Sequence, residues 1–196
     1  MKKSFLQFVA TAFVALVIAG CASSPSRFYT LNATAKSDGI SAAQYAVAVG
    51  PVTIPAEVDR PQFTVQVAPN RVAIDEFNRW AEPLNENIAR VVAADLATLL
   101  GTPCVAAVSL ANFDPAYRVT IDIQCFESVP GKSAQLEAVW LVHQAAGHVT
   151  LSGRTIADEP VSGSGFEALA GAHSRALAKV SADIAAAIRT EADSKP

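Results

Sequence analysis

The sequence predicts an α/β chain of the α+β type, with a mostly antiparallel sheet of about five to six strands packed by two long helices. Three observations predict it. Apolar residues take alternate positions from Tyr117 to Cys125, from Leu136 to Val142 and from Val149 onward, with Pro130-Gly131 and Gly147 between the runs. That period of two belongs to strands with one apolar face. Two other stretches, Leu84 to Leu99 and Phe166 to Ile188, repeat apolar residues at spacings of three and four, which puts them on one stripe of a helix. Stripes of that length need a sheet to bury against.

Taken in order, the chain opens with Lys2 and Lys3, an apolar run from Phe5 to Ile18, and then Ala19-Gly20-Cys21. A basic start, a short apolar run and small residues before a cut site describe an export signal over residues 1–20. The apolar run is too short to span a bilayer, which takes about 20 helical residues. Ile18-Ala19-Gly20-Cys21 has the form of a lipobox, an aliphatic residue and two small ones before the cysteine that becomes the lipidated first residue. The alternative is a free cysteine after an ordinary signal. Residues 21–27 then form a lipidated tether reaching at most about 20 Å. Ala22 rather than Asp follows the cysteine, which by the general sorting rule points to the periplasmic face of the outer membrane.

The folded domain is expected over residues 28–190. Phe28-Tyr29-Thr30-Leu31 reads as a strand, Asn32 to Ser41 as a loop, Gln44 to Val49 as an alternating run, and Val52 and Ile54 as a second extended piece bracketed by Pro51 and Pro55. Phe63, Val65 and Val67, the turn at Pro69-Asn70, then Val72 and Ile74 read as a hairpin. The first helix starts at Pro83, whose missing N–H costs nothing in a first turn, and stops at Gly101 and Pro103. A strand is expected near Cys104 to Val108. Ser164 and Glu167 have capping-box spacing at the start of the second helix, and residues 191–196 are expected to form a flexible polar tail.

Composition excludes several functions. Without Lys2 and Lys3 the mature chain carries 13 basic and 18 acidic residues, a net charge of −5, so no basic stripe is left for nucleic acid. His143, His148 and His173 lack partners at metal-ligand spacing, and no cofactor or metal is expected. Ser162-Gly163-Ser164-Gly165 lacks the glycines two before and two after the serine that a nucleophile elbow needs. Glu57 with Asp59 and Asp75 with Glu76 are carboxylate pairs that read more simply as solvated charges. No catalytic residue is assigned. For Cys104 and Cys125, in an oxidising periplasm, a disulfide is the expectation and two buried thiols the alternative.

Three runs stand out as unusual loops: Val49 to Pro55, Asp59-Arg60-Pro61-Gln62, and Phe77 to Leu84. Arg79 and Trp80 are of the types that anchor interfaces; the competing reading makes Trp80 a core residue and pairs Arg79 with Glu82 or Glu76. Together with the lipobox cysteine, Phe28-Tyr-Thr-Leu31, Tyr117-Arg-Val119 and Ser174-Arg-Ala-Leu177, these runs resemble the ABC-type transport auxiliary lipoproteins, the PqiC-like group. The resemblance spans nearly the whole mature chain. It implies a domain similar to the N-terminal domain of TolB, and a partner in an MCE-domain (PqiB-like) periplasmic subunit and its inner-membrane transporter, which move lipid between the membranes. A homo-oligomeric ring around that conduit is compatible with its symmetry. Phe63-Thr-Val-Gln-Val-Ala-Pro69 departs from the Ile-Val-x-Arg pattern of the group.

The expected role is therefore a non-catalytic accessory, anchored by Cys21, that docks the conduit through Asp59, Arg60, Pro61, Gln62, Arg79 and Trp80. Its rival is a structural lipoprotein of an outer-membrane or peptidoglycan-associated assembly with no part in lipid transport.

Overall fold

The computed structural model describes residues 25–37, 39, 42–107, 113–145 and 150–194. The expected export signal, Cys21, His148, Val108 and Val149 lie outside the described residues. In chain order the elements are β1 (Arg27–Tyr29), β2 (Val47–Thr53), β3 (Gln62–Ala68), β4 (Arg71–Trp80), α1 (Leu84–Leu100), β5 (Val105–Ala106), β6 (Tyr117–Val129), β7 (Ser133–Gln144), β8 (Thr150–Pro160) and α2 (Gly165–Asp193). The α+β class with two long helices holds. The strands divide between a five-stranded sheet, β5-β2-β6-β7-β8, and a three-stranded sheet, β1-β4-β3.

The three alternating runs form the antiparallel β6-β7-β8 half of the large sheet, while β2 pairs in parallel with both β5 and β6. Helices α1 and α2 lie side by side on one face, α1 against β2 and β5, α2 against β7 and β8. Their stripes meet the sheet through Ile88, Val92, Leu96, Leu177, Val180, Ile184 and Ile188, all fully buried. Each such side chain stabilises the fold by about 1.5–3 kcal/mol relative to exposure. Helix α1 ends at Gly101, whose left-handed φ of 65° lets its N–H close on the Ala97 carbonyl, a conformation strained for any residue with a Cβ. Gly153 opposes Trp140 across β7 and β8; a Cβ there would overlap the indole ring. The indole N–H instead reaches Thr155 Oγ1 at 3.1 Å, and Thr155 donates to Asp183 at 2.6 Å, tying the sheet to α2.

Residues 31–35 form an extended strap over both helices. Asn87 accepts the Leu31 N–H at 2.8 Å, Ser174 Oγ accepts that of Asn32 at 3.1 Å, and Asp95 Oδ1 accepts those of Thr34 and Ala35, both at 2.9 Å. Asp95 is fully buried, and Ser181 of α2 donates to its other oxygen at 3.3 Å. Burial raises its pKa, and the backbone and hydroxyl donors oppose that rise without cancelling it.

Four expectations need correction. A bulge between Ile123 and Cys125 shifts the alternation of β6, so Phe126 and Ser128 are buried while Cys125 is only half-buried. Ser164 stands at the start of α2 in extended conformation, but its side chain makes no capping bond. Helix α2 runs on to Asp193, through the first half of the expected tail. Phe77 to Trp80, read as a loop, is the end of β4.

Cys104 and Cys125 are free thiols. Cys104 immediately precedes β5, which pairs with β2 at Val47, and Val47 also pairs with Tyr117 at the start of β6. Cys125 is thus two strands across and some eight residues along, about 26 Å in the strand direction alone. A bridge needs Cα atoms within about 7 Å, so the expected disulfide does not form within the chain.

Candidate functional site

The small sheet is attached to the body by a ladder of rings. Tyr29 of β1 meets Phe63 edge-on at 5.9 Å between centroids, Phe63 stacks on Trp80 at 4.3 Å, and Trp80 meets Phe126 of β6 at 6.1 Å. Phe166 at the start of α2 packs on Phe63 at 5.1 Å, and His173 stacks on Phe126 at 3.7 Å. Trp80 is only 5% exposed, so of the two readings weighed for it the core one holds: as a freely exposed interface anchor it is corrected. Aromatic contacts of this kind add to burial and fix ring positions.

Around this ladder the two unusual runs come together. Pro55 turns the chain by accepting the Val58 and Asp59 N–H groups at 3.0 and 3.2 Å, and the Pro61 carbonyl accepts the Trp80 N–H at 2.7 Å. A cavity of about 370 Å³ results, lined by Asp59, Arg60 and Pro61 on one side and by Trp80, Ala81, Glu82, Pro83 and Leu84 on the other. Its walls are chiefly apolar. Glu82 is held by Arg90 and receives a 3.5 Å contact from Thr30. Arg60 Nε is buried and makes no hydrogen bond, and a buried donor without a partner is costly.

Of the six residues expected to form an interface, Asp59, Arg60, Pro61 and Trp80 line this cavity; Gln62 and Arg79 do not. Gln62 donates to Glu76 Oε2 at 3.3 Å, and Arg79 donates to the Glu76 carbonyl at 2.9 Å and pairs with its carboxylate at 3.6 Å. The Arg79–Glu76 pair is one of the two the sequence offered. Glu82, Pro83 and Leu84 lie within the run that stood out as unusual, but nothing in their types marked them as lining residues.

A serine and a histidine do meet, Ser128 Oγ and His173 Nε2 at 2.8 Å. Both are buried, at 2% and 0% exposure, and His173 Nδ1 has no partner. Burial alone lowers the His173 pKa to about 3, leaving it neutral. A nucleophile and base need access to substrate and an orienting third group, and this pair has neither. His143 is exposed and contacts Thr150 at 3.2 Å. Among the described residues no group of three His, Cys, Asp or Glu side chains is placed to hold a metal ion, and no helix is long and apolar enough to cross a membrane.

Similar folds occur in two crystal structures. A protein described only as uncharacterized matches with a TM-score of 0.69 and 17% identity over 84% of this chain and 99% of its own. A Xanthomonas campestris protein assigned to family model DUF330 matches with a TM-score of 0.69 and 17% identity over 86% of this chain and all of its own. At that identity the likeness shows the shared fold. No curated protein matches in sequence. The family model for the ABC-type transport auxiliary lipoprotein component covers residues 29–185, from the first ring of the ladder to the last turns of α2, and the chain belongs to that family.

Proposed function

We propose that this lipoprotein is a non-catalytic docking subunit of an MCE-type lipid-transport system, anchored through Cys21 to the periplasmic face of the outer membrane. The cavity beside Trp80 receives a segment of the MCE-domain subunit. The observation that carries this reading is the convergence of Asp59-Arg60-Pro61 and Trp80 to Leu84 on one cavity. These runs carry the family resemblance, and a 370 Å³ hollow with chiefly apolar walls suits an apolar side chain. Placement and a matching surface are all that docking requires. A ring of several copies would present such cavities around a symmetric conduit.

Co-purification from crosslinked envelopes tests the proposal. The lipidated protein should recover an MCE-domain subunit, Cys21→Ser should lose it by delocalisation, and Asp59→Arg, at the exposed rim of the cavity, should weaken recovery with the anchor intact. Recovery of peptidoglycan-associated partners alone would overturn it.

A further inference from the structure

Among the described residues seven large apolar side chains are markedly exposed, and five of them, Phe28, Val67, Val72, Ile74 and Phe77, belong to the small sheet. Tyr29 and Trp80 are paired in register and point inward onto the ring ladder. Their neighbours Phe28 and Arg79, also paired, therefore point outward, and Phe77, two positions before Arg79 on β4, is exposed as well. Phe28 is 64% exposed and Phe77 45%. Two exposed phenylalanines on neighbouring strands of so small a sheet form an apolar patch of the kind that marks an interaction surface.

We propose that the outer face of the small sheet rests on the lipid bilayer, with Phe28 and Phe77 buried among the head groups and upper acyl chains. This rests on the anchoring at Cys21 proposed above. Phe28 is the seventh residue after Cys21, so the acylated cysteine holds Phe28 within about 25 Å of the membrane surface. No other element enters the fold so close to the anchor. Arg71, exposed and without an ion pair among the described residues, suits the phosphates of the head groups. The small sheet's outer face carries Arg79, paired with Glu76, whereas on the outer face of the large sheet the exposed Leu141 and Ile156 are dispersed among Arg118, Asp122, His143, Arg154 and Asp158. Acyl chains plus an apolar patch also supply the two signals that fix orientation as well as attachment.

The experiment places tryptophan at the patch in the full lipidated protein, as Phe28→Trp and Phe77→Trp, with Ile156→Trp as the distant control. Each is reconstituted in phosphatidylethanolamine–phosphatidylglycerol vesicles with and without brominated acyl chains. The native Trp80 and Trp140 are buried, so the unsubstituted protein sets a flat baseline. Bromolipid should cause a loss of emission beyond that baseline for Phe28→Trp and Phe77→Trp and none for Ile156→Trp. Acylated protein with no added loss at either phenylalanine overturns the contact and leaves the anchor standing. An unacylated Cys21, read by mass, removes the anchor and the contact together. Emission at these positions that responds to the transport partner and not to bromolipid makes the patch a protein interface and overturns the proposal.

Discussion

Acidification should weaken this fold through one imidazole. His173 is fully buried, accepts or donates one hydrogen bond with Ser128, and is held neutral by burial that lowers its pKa from 6.5 to about 3. In the unfolded chain the same group titrates near 6.5. Between those values the unfolded state binds the extra proton, so stability is fully present above pH 6.5 and is lost as pH falls through the window toward 3. The slope is about 1.4 kcal/mol per pH unit, and integration from about pH 7.5 to about pH 5 gives on the order of 2 kcal/mol from this residue. Urea unfolding of the protein and of His173→Gln at those two pH values isolates it. Asp95, whose raised pKa contributes in the opposite direction on acidification, is common to both proteins and cancels in the difference. The substituted protein should lose about 2 kcal/mol less than the parent across the interval. Parallel losses in the two proteins would refute the buried neutral imidazole.

Two further predictions follow from polar groups the fold encloses or exposes. Asp95→Ala leaves the Thr34 and Ala35 N–H groups without their acceptor, while the Ser181 hydroxyl keeps the Leu177 carbonyl at 3.0 Å; a loss of about 1–3 kcal/mol is expected, with faster proteolytic cleavage within residues 31–35, and unchanged cleavage would mean the strap is held by other contacts. Native protein should show two alkylatable thiols under non-reducing conditions. Cys104, exposed, should react first, and Cys125 slowly, because burial and then Glu127 and Glu137 push its thiol up to about 11; a mass loss of two hydrogens with no alkylation would contradict the separation of the two strands.

Elements joined by short turns were legible in the sequence because their partners adjoin. The β6-β7-β8 run announces itself by alternation interrupted at Pro130-Gly131, and α1 and α2 by stripes that begin after Pro83 and near Ser164. Parallel pairings leave no such trace: β1 finds β4 some fifty residues later, and β2 joins β5 and β6. That is why a single sheet was expected where the chain builds two. The bulge at Cys125 was invisible for a related reason, since one extra residue reverses the facing of everything beyond it and Phe126 fits a strand as well as Cys125 does. The candidate site was legible in part. Prolines and the Arg79-Trp80 pair drew attention to the right segments, but composition could not tell that Trp80 turns inward while Arg79 is held by Glu76 outside the cavity.

The docking role is tested most directly by a photo-crosslinking side chain placed at Asp59, on the rim of the cavity, and compared with one at Ser152, exposed on β8 of the large sheet. In intact envelopes the residue at position 59 should capture a subunit of the transport system and that at position 152 should not. Capture from position 152 alone, or from neither, would contradict the assignment of this cavity as the contact point.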